Sequence, residues 1–198
     1  MGQLLTKAIK LITPVTNKTV VNFNDGDTND IISVVLLDDE ISARQRFIKD
    51  FAPLLRGKND YESCVNIWNF IKNEIPYVGD KNGLELIRLP NKCIWDAYYK
   101  QNGGDCKSFA LLANDLCREL GISSMYRFIS QKRNSVIATH VYCVAVINGK
   151  EIILDAVYTH FNSEPYRTYK VDYRASLIVP AASVKGVYTE GGRFSKWI

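Results

Sequence analysis

Helices first and an antiparallel hairpin after them: this is the mixed fold that the 198-residue sequence predicts. Three observations carry that prediction. Two helix-period stretches, residues 39–55 and 60–75, run up to Gly57 and Pro76, residue types that stop helices. A glycine turn, Gly103-Gly104, leads into a third helix, with Phe109, Leu112, Ala113, Leu116 and Leu120 at helical spacing and Gly121 at its end. Two apolar or alternating runs, 138–147 and 151–157, then flank Asn148-Gly149, the strongest short-range hairpin signal.

Ahead of these, Leu4, Leu5, Ala8, Ile9 and Ile12 predict a short amphipathic helix stopped by Pro14, whose apolar face must dock somewhere. The β-branched stretches 19–23 and 31–37 flank a polar turn, Asp25 to Asp30, and read as a hairpin or an edge addition. Asp25, Asp27 and Asn29 mimic the start of a calcium loop. Asp30, however, stands where glycine is required and Leu36 where a bidentate glutamate belongs, so the segment reads as a solvated turn. In 39–55 the apolar positions are Ile41, Phe47, Ile48 and Phe51; in 60–75, Cys64, Ile67, Trp68 and Ile71 share one face. Tyr77 to Pro90 is polar and turn-rich and reads as a surface loop. With no repeat or linker in view, the chain divides into an N-terminal extension, 1–38, and one domain, 39–198.

With 46% hydrophobic and 23% charged residues the chain can bury a core without disulfide or metal staples, which excludes disorder, collagen and coiled coil. Lys plus Arg is 25 against 21 for Asp plus Glu, a net charge of +4 with no dense basic block. Arg167, Lys170, Arg174, Lys185, Arg193 and Lys196 are spaced like a solvated face, so no nucleic-acid partner is expected. Five cysteines without a CxxC pair suit thiols in a reducing compartment and no metal site. No window reaches the roughly 18 apolar residues of a membrane span. Lys7 and Lys10 spoil the opening segment as a signal peptide, so a cytoplasmic location and no membrane partner are expected. The myristoylation-like start Gly2 to Thr6 and the sequon Asn17-Lys18-Thr19 are patterns too short to weigh against this.

The chemistry concentrates at Cys106. Asp105 occupies the N-cap position of the third helix. Cys106 then becomes the first helical residue, where free N–H groups and the positive end of the helix dipole favour a thiolate. In the hairpin, a two-residue loop sets Ile147 opposite Lys150, so that paired positions sum to 297 and His140 faces Val157 while Tyr142 faces Asp155. His140 and Asp155 are then diagonal neighbours on one face, roughly 7 Å apart at the backbone and close enough to hydrogen-bond. A cysteine at a helix start with a histidine and an aspartate side by side is the nucleophile, base and orienter set of thiol acyl transfer. Asp155 sits within the apolar run Ile152-Ile153-Leu154, where a carboxylate needs a partner, and His140 is the one at hand.

Three strings, Gly104-Asp105-Cys106-Lys107-Ser108-Phe109-Ala110, Thr139-His140-Val141-Tyr142 and Ile153-Leu154-Asp155-Ala156-Val157, resemble the transglutaminase-like superfamily of papain-like cysteine proteases and transamidases. Ile67-Trp68-Asn69-Phe70-Ile71, Ile75-Pro76-Tyr77 and Ile87-Arg88-Leu89-Pro90 are similar to the helix and loop before the nucleophile in small bacterial and phage members. The likeness covers about residues 40–165. It implies an α+β fold with the nucleophile helix packed on an antiparallel sheet. It also implies a nucleophile at Cys106, a base at His140, an orienting carboxylate at Asp155 and a protein or peptide substrate, with no metal and no cofactor. The expected chemistry is thiolate attack on an amide carbonyl, with the thioester released by water in a peptidase or amidase and by an amine in a transamidase. The short chain departs from the multidomain animal transglutaminases, so their calcium-dependent crosslinking is not carried over. For the oxyanion, the Cys106 N–H needs a second donor. Gln101, five residues upstream, is the nearest match to the glutamine of papain-like enzymes, with Trp68, Trp95 and Tyr99 as rivals.

Cys64, Cys93, Cys117 and Cys143 read as small buried hydrophobes, His160 as structural and Asp105 as a cap. The alternative from another class is a structural or interaction module of a larger assembly such as a phage virion. It would dock through the apolar N-terminal segment and the Trp197-Ile198 end.

Overall fold

The computed structural model describes residues 2–13, 47–80, 87–135, 137–164, 167, 169–174, 187–188 and 194–195. The expected strands at 19–23 and 31–37, the Asp25–Asp30 turn, the first part of the 39–55 helix and the Trp197-Ile198 end lie outside these residues. The first helix, α1 (Gln3–Leu11), forms where its spacing predicts and buries Leu5 and Ala8.

Around Phe51 the chain departs from the expected helix. Residues 47–50 are a turn, followed by a single 3-10 turn, Ala52–Leu55. Pro53 explains the difference: it has no N–H to donate and its ring disfavours an α conformation at Ala52, so an α-helix cannot run through it. The second long helix, α2 (Asp60–Glu74), follows the expected pattern, with Asn59 Oδ1 accepting the Glu62 N–H at 2.9 Å as its cap.

A third helix, α3 (Pro90–Lys100), was not anticipated from the sequence, although Pro90 in the first turn and the buried Cys93, Ile94 and Ala97 carry the signal. It stops at Gln101, which adopts a left-handed conformation with φ 53°. The helix that Cys106 opens, α4 (Cys106–Glu119), begins at the predicted residue and ends before Gly121, φ 74°.

The sheet has four strands in the order β3-β2-β1-β4, each pair antiparallel: β1 (Ser124–Ser130), β2 (His140–Ile147), β3 (Lys150–Leu154) and β4 (Tyr169–Arg174). Ile147 pairs with Lys150 and Cys143 with Leu154, the register that the two-residue loop predicts. Asn148 and Gly149 both take positive φ, 51° and 76°, the pair of left-handed residues such a hairpin turn requires. Strands β1 and β4 were not foreseen. Every residue of β1 is buried, so it lacks the alternation that marks a half-exposed strand. A separate two-stranded ribbon pairs β5 (Val187–Tyr188) with β6 (Phe194–Ser195).

Helices and sheet form one α+β layer pair, α4 packing on β2 and β1 and α2 packing on α4 and β3. The core between them includes Ile67, Trp68, Leu112, Leu116, Cys143 and Leu154. The opposite sheet face buries Met125, Ile129, Tyr142, Val144 and Ile153. It also buries Arg127 completely; its guanidinium reaches Asp172 at 2.7 Å, Glu151 at 2.8 Å and Glu164 at 3.2 Å.

Candidate active site

Cys106 is placed by two local devices. Asp105 Oδ1 accepts the Lys107 N–H at 3.1 Å, capping α4 and fixing Cys106 as its first residue. The glycine turn before it is stitched to the segment that follows α2, with Gly103 N–H to Pro76 O at 3.0 Å and Val78 N–H to Gly104 O at 2.9 Å. Both glycines are demanded by space: a Cβ on Gly103 would come within 2.8 Å of the Pro76 oxygen, and one on Gly104, φ 107°, within 2.6 Å of Ser108 Oγ. Cys106 is half-buried, whereas Cys64, Cys93, Cys117 and Cys143 are fully buried. Burial pushes the Cys93 thiol up to about 12, the behaviour of an inert core cysteine.

His140 opens β2 and Asp155 follows β3 directly, so the hairpin register brings them together across the sheet end. Their contact is 2.6 Å, from His140 Nε2 to Asp155 Oδ2, with both side chains buried. Cys106 lies close enough for its charge to act on the His140 ring. Burial alone would lower the imidazole pKa. The hydrogen bond to Asp155 and the influence of Asp155 and Cys106 as neighbouring charges outweigh it and raise the value to about 9. At neutral pH His140 is therefore an imidazolium, a cation held beside the sulfur at a helix N-terminus.

Asp155 is itself held by groups that the sequence does not connect to it. Its second carboxylate oxygen accepts the Val157 N–H at 3.1 Å, and its backbone carbonyl accepts the indole N–H of Trp68 at 3.0 Å. Lys72, one turn further along α2, donates to the Ala156 and Val157 carbonyls at 3.2 and 3.1 Å. The Tyr158 ring stands edge-on to His140 with centroids 5.7 Å apart, and its hydroxyl meets the Gln131 amide. A buried indole on a helix face signals a need for a hydrogen-bond partner, but nothing in the sequence says which.

The other candidate residues are engaged with other groups. Gln101 is exposed, and its amide donates to Ala97 O at 3.4 Å within its own helix. The Trp68 N–H is committed to Asp155, while Trp95 and Tyr99 pack on each other at 4.3 Å. His160 is exposed and contacts Thr159 Oγ1 at 3.0 Å. Asp105 is the cap expected; burial raises its carboxyl pKa, opposed by the ammonium of Lys107, which pairs with both Asp105 and Asp80. Among the described residues no group of three or more His, Cys, Asp or Glu could hold a metal ion, and no helix is long and apolar enough to cross a membrane.

Residues 46–184 match the family model described as a transglutaminase-like domain. Among solved structures, a candidate cysteine protease of Cytophaga hutchinsonii is 26% identical with a TM-score of 0.41, over 67% of this chain and 43% of that one. A candidate protease of Parabacteroides distasonis is 18% identical with a TM-score of 0.46, over 63% of this chain and 26% of that one. The chain thus spans less than half the length of either structure. No curated protein matches it.

Proposed function

Since the chain belongs to the transglutaminase-like domain family, we propose that it is a cysteine peptidase or amidase in which Cys106 is the nucleophile, His140 the acid and base, and Asp155 the group that orients His140. The observation that supports this best is the 2.6 Å contact of His140 Nε2 with Asp155, on a ring that also feels the charge of Cys106.

In the proposed reaction the Cys106 sulfur attacks the amide carbonyl carbon, forming a C–S bond as the C=O π electrons move to oxygen. The backbone N–H at the start of α4 is one donor for that oxyanion. Gln101 is the candidate second donor and would have to leave the Ala97 carbonyl to serve. As the C–N bond breaks, the imidazolium gives its proton to the departing amine and a thioester remains. Water then attacks the thioester, losing its proton to the now neutral His140, and the acid and the free thiolate are released. An amine in place of that water would make the same site a transamidase.

The test is the rate of Cys106 alkylation by iodoacetamide against pH, followed by intact mass, in the wild type and in His140→Ala. Reactivity persisting well below the ordinary cysteine pKa of about 8.5, and lost in the variant, is the expected result. A profile that titrates like a free thiol, or a sulfur that cannot be reached, would overturn the reading.

A further inference from the structure

Five charged side chains, each no more than 10% exposed, form a chain of ion pairs at the start of α4. The Lys107 ammonium pairs with Asp105 and, at 3.3 Å, with Asp80. Asp80 meets the Arg88 guanidinium at 3.8 Å, and Arg88 meets Asp96 of α3 at 3.6 Å. Backbone contacts run beside this chain: the Arg88 N–H donates to Ser108 Oγ at 3.2 Å and the Val78 N–H to the Gly104 carbonyl at 2.9 Å. The segment after α2, Arg88 and α3 are thereby tied to the turn that delivers Cys106.

Asp105 is the member of this chain that bears on the sulfur. Its buried carboxylate caps α4 through the Lys107 N–H and belongs to the residue directly before Cys106. A cap charge and a thiolate then compete for the same positive end of the helix, and two like charges so close disfavour each other. Lys107 resolves the conflict by folding its buried side chain back, so that its ammonium sits on Asp105 Oδ2 while its own N–H is held by Oδ1. Tyr77 shows that these charges share one neighbourhood: burial raises its phenol pKa first, the charges of Cys106 and Asp105 raise it further, and that of Lys107 lowers it. The remaining titratable groups around the sulfur are His140 of β2 and Asp155 after β3, which act on each other and lie outside this chain of pairs.

We propose that Lys107 is a positioning residue for the nucleophile: bound to Asp105, it cancels the charge of the helix cap, so that the start of α4 keeps a carboxylate cap and still favours a thiolate at Cys106. This rests on the reading of Cys106 as the nucleophile.

The experiment uses the full chain and reads the pH midpoint of Cys106 alkylation by iodoacetamide, followed by intact mass, in the wild type, Lys107→Met, Asp105→Asn, the double variant and Lys107→Arg. Asparagine caps a helix as well as aspartate does, so Asp105→Asn removes the charge and keeps the cap. In Lys107→Met, Asp80 keeps its pairing with Arg88 and Asp105 is left uncompensated, which should raise the midpoint by about one pH unit. Asp105→Asn should lower it, the double variant should return it to the wild-type value, and Lys107→Arg should leave it there. A Lys107→Met midpoint equal to that of the wild type would overturn the proposal. So would a double variant that stays as high as Lys107→Met, because Lys107 would then act on the sulfur without Asp105. If Lys107→Met does not fold, Asp105→Asn decides alone: a lowered midpoint supports the proposal and an unmoved one overturns it. A wild-type profile like that of a free thiol is a different failure, which sinks the nucleophile reading and this proposal with it.

Discussion

Trp68 and Asp155 are 87 residues apart in sequence and joined by one hydrogen bond, the indole N–H donating to the Asp155 carbonyl at 3.0 Å. The same aspartate turns its carboxylate towards His140. The indole thus holds the backbone from which the Asp155 carboxylate projects, and the Phe161 ring stands edge-on to the Trp68 ring with centroids 5.9 Å apart.

Trp68→Phe keeps most of the apolar contact and removes the donor. The buried Asp155 carbonyl is left unsatisfied, at a cost of about 1–3 kcal/mol. Urea unfolding should show that loss, and the pH profile of Cys106 alkylation should shift towards that of a free thiol. An unchanged profile would mean that Asp155 is oriented without the indole.

Asp155→Asn removes the charge that offsets burial at His140. The imidazole pKa, about 9 in the wild type, should fall towards or below its ordinary 6.5. NMR titration of the His140 ring protons measures it, with His160, exposed and in contact with Thr159 Oγ1, as the internal control. A value staying near 9 would assign the shift to Cys106 instead.

Stability should decline as pH rises between about 6.5 and about 9. A pKa raised by folding means that the folded state holds the proton more tightly, so the stabilisation is complete below 6.5 and gone above 9. The full effect is at most about 3 kcal/mol from the size of the shift. Urea midpoints at pH 6, 7.5 and 9 should fall more steeply in the wild type than in His140→Gln; parallel slopes would contradict the prediction.

Gly104→Ala should destabilise the chain by about 1–3 kcal/mol, since φ 107° is strained for a residue with a Cβ. That Cβ would also meet Ser108 Oγ. The turn that sets the start of α4 should loosen, and Cys106 alkylation at pH 6 should slow. Thermal unfolding and the alkylation rate read the two effects separately.

What the sequence alone determined about this protein is what short-range rules decide. Asn148-Gly149 with period-two runs on either side set the hairpin register, and with it the adjacency of His140 and Asp155. The glycine turn and the Asp105 cap set where α4 begins. Pro53 and the Pro90 start of α3 are equally local signals, each present in the sequence as a single residue. Tertiary structure decided the rest. The uniformly buried β1 has no periodicity to separate it from a buried helix, and the carboxylates around Arg127 come from β3, β4 and the loop between them. The grip of Trp68 and Lys72 on residues 155–157, and the packing of α1 on α2 and α3, also arise only in the packed chain. Capping, turns and pleat alternation act over a few residues and leave a pattern in the sequence. A donor and acceptor more than 80 residues apart meet only when the apolar faces between them pack, and each remains an unpaired polar group in the sequence until they do.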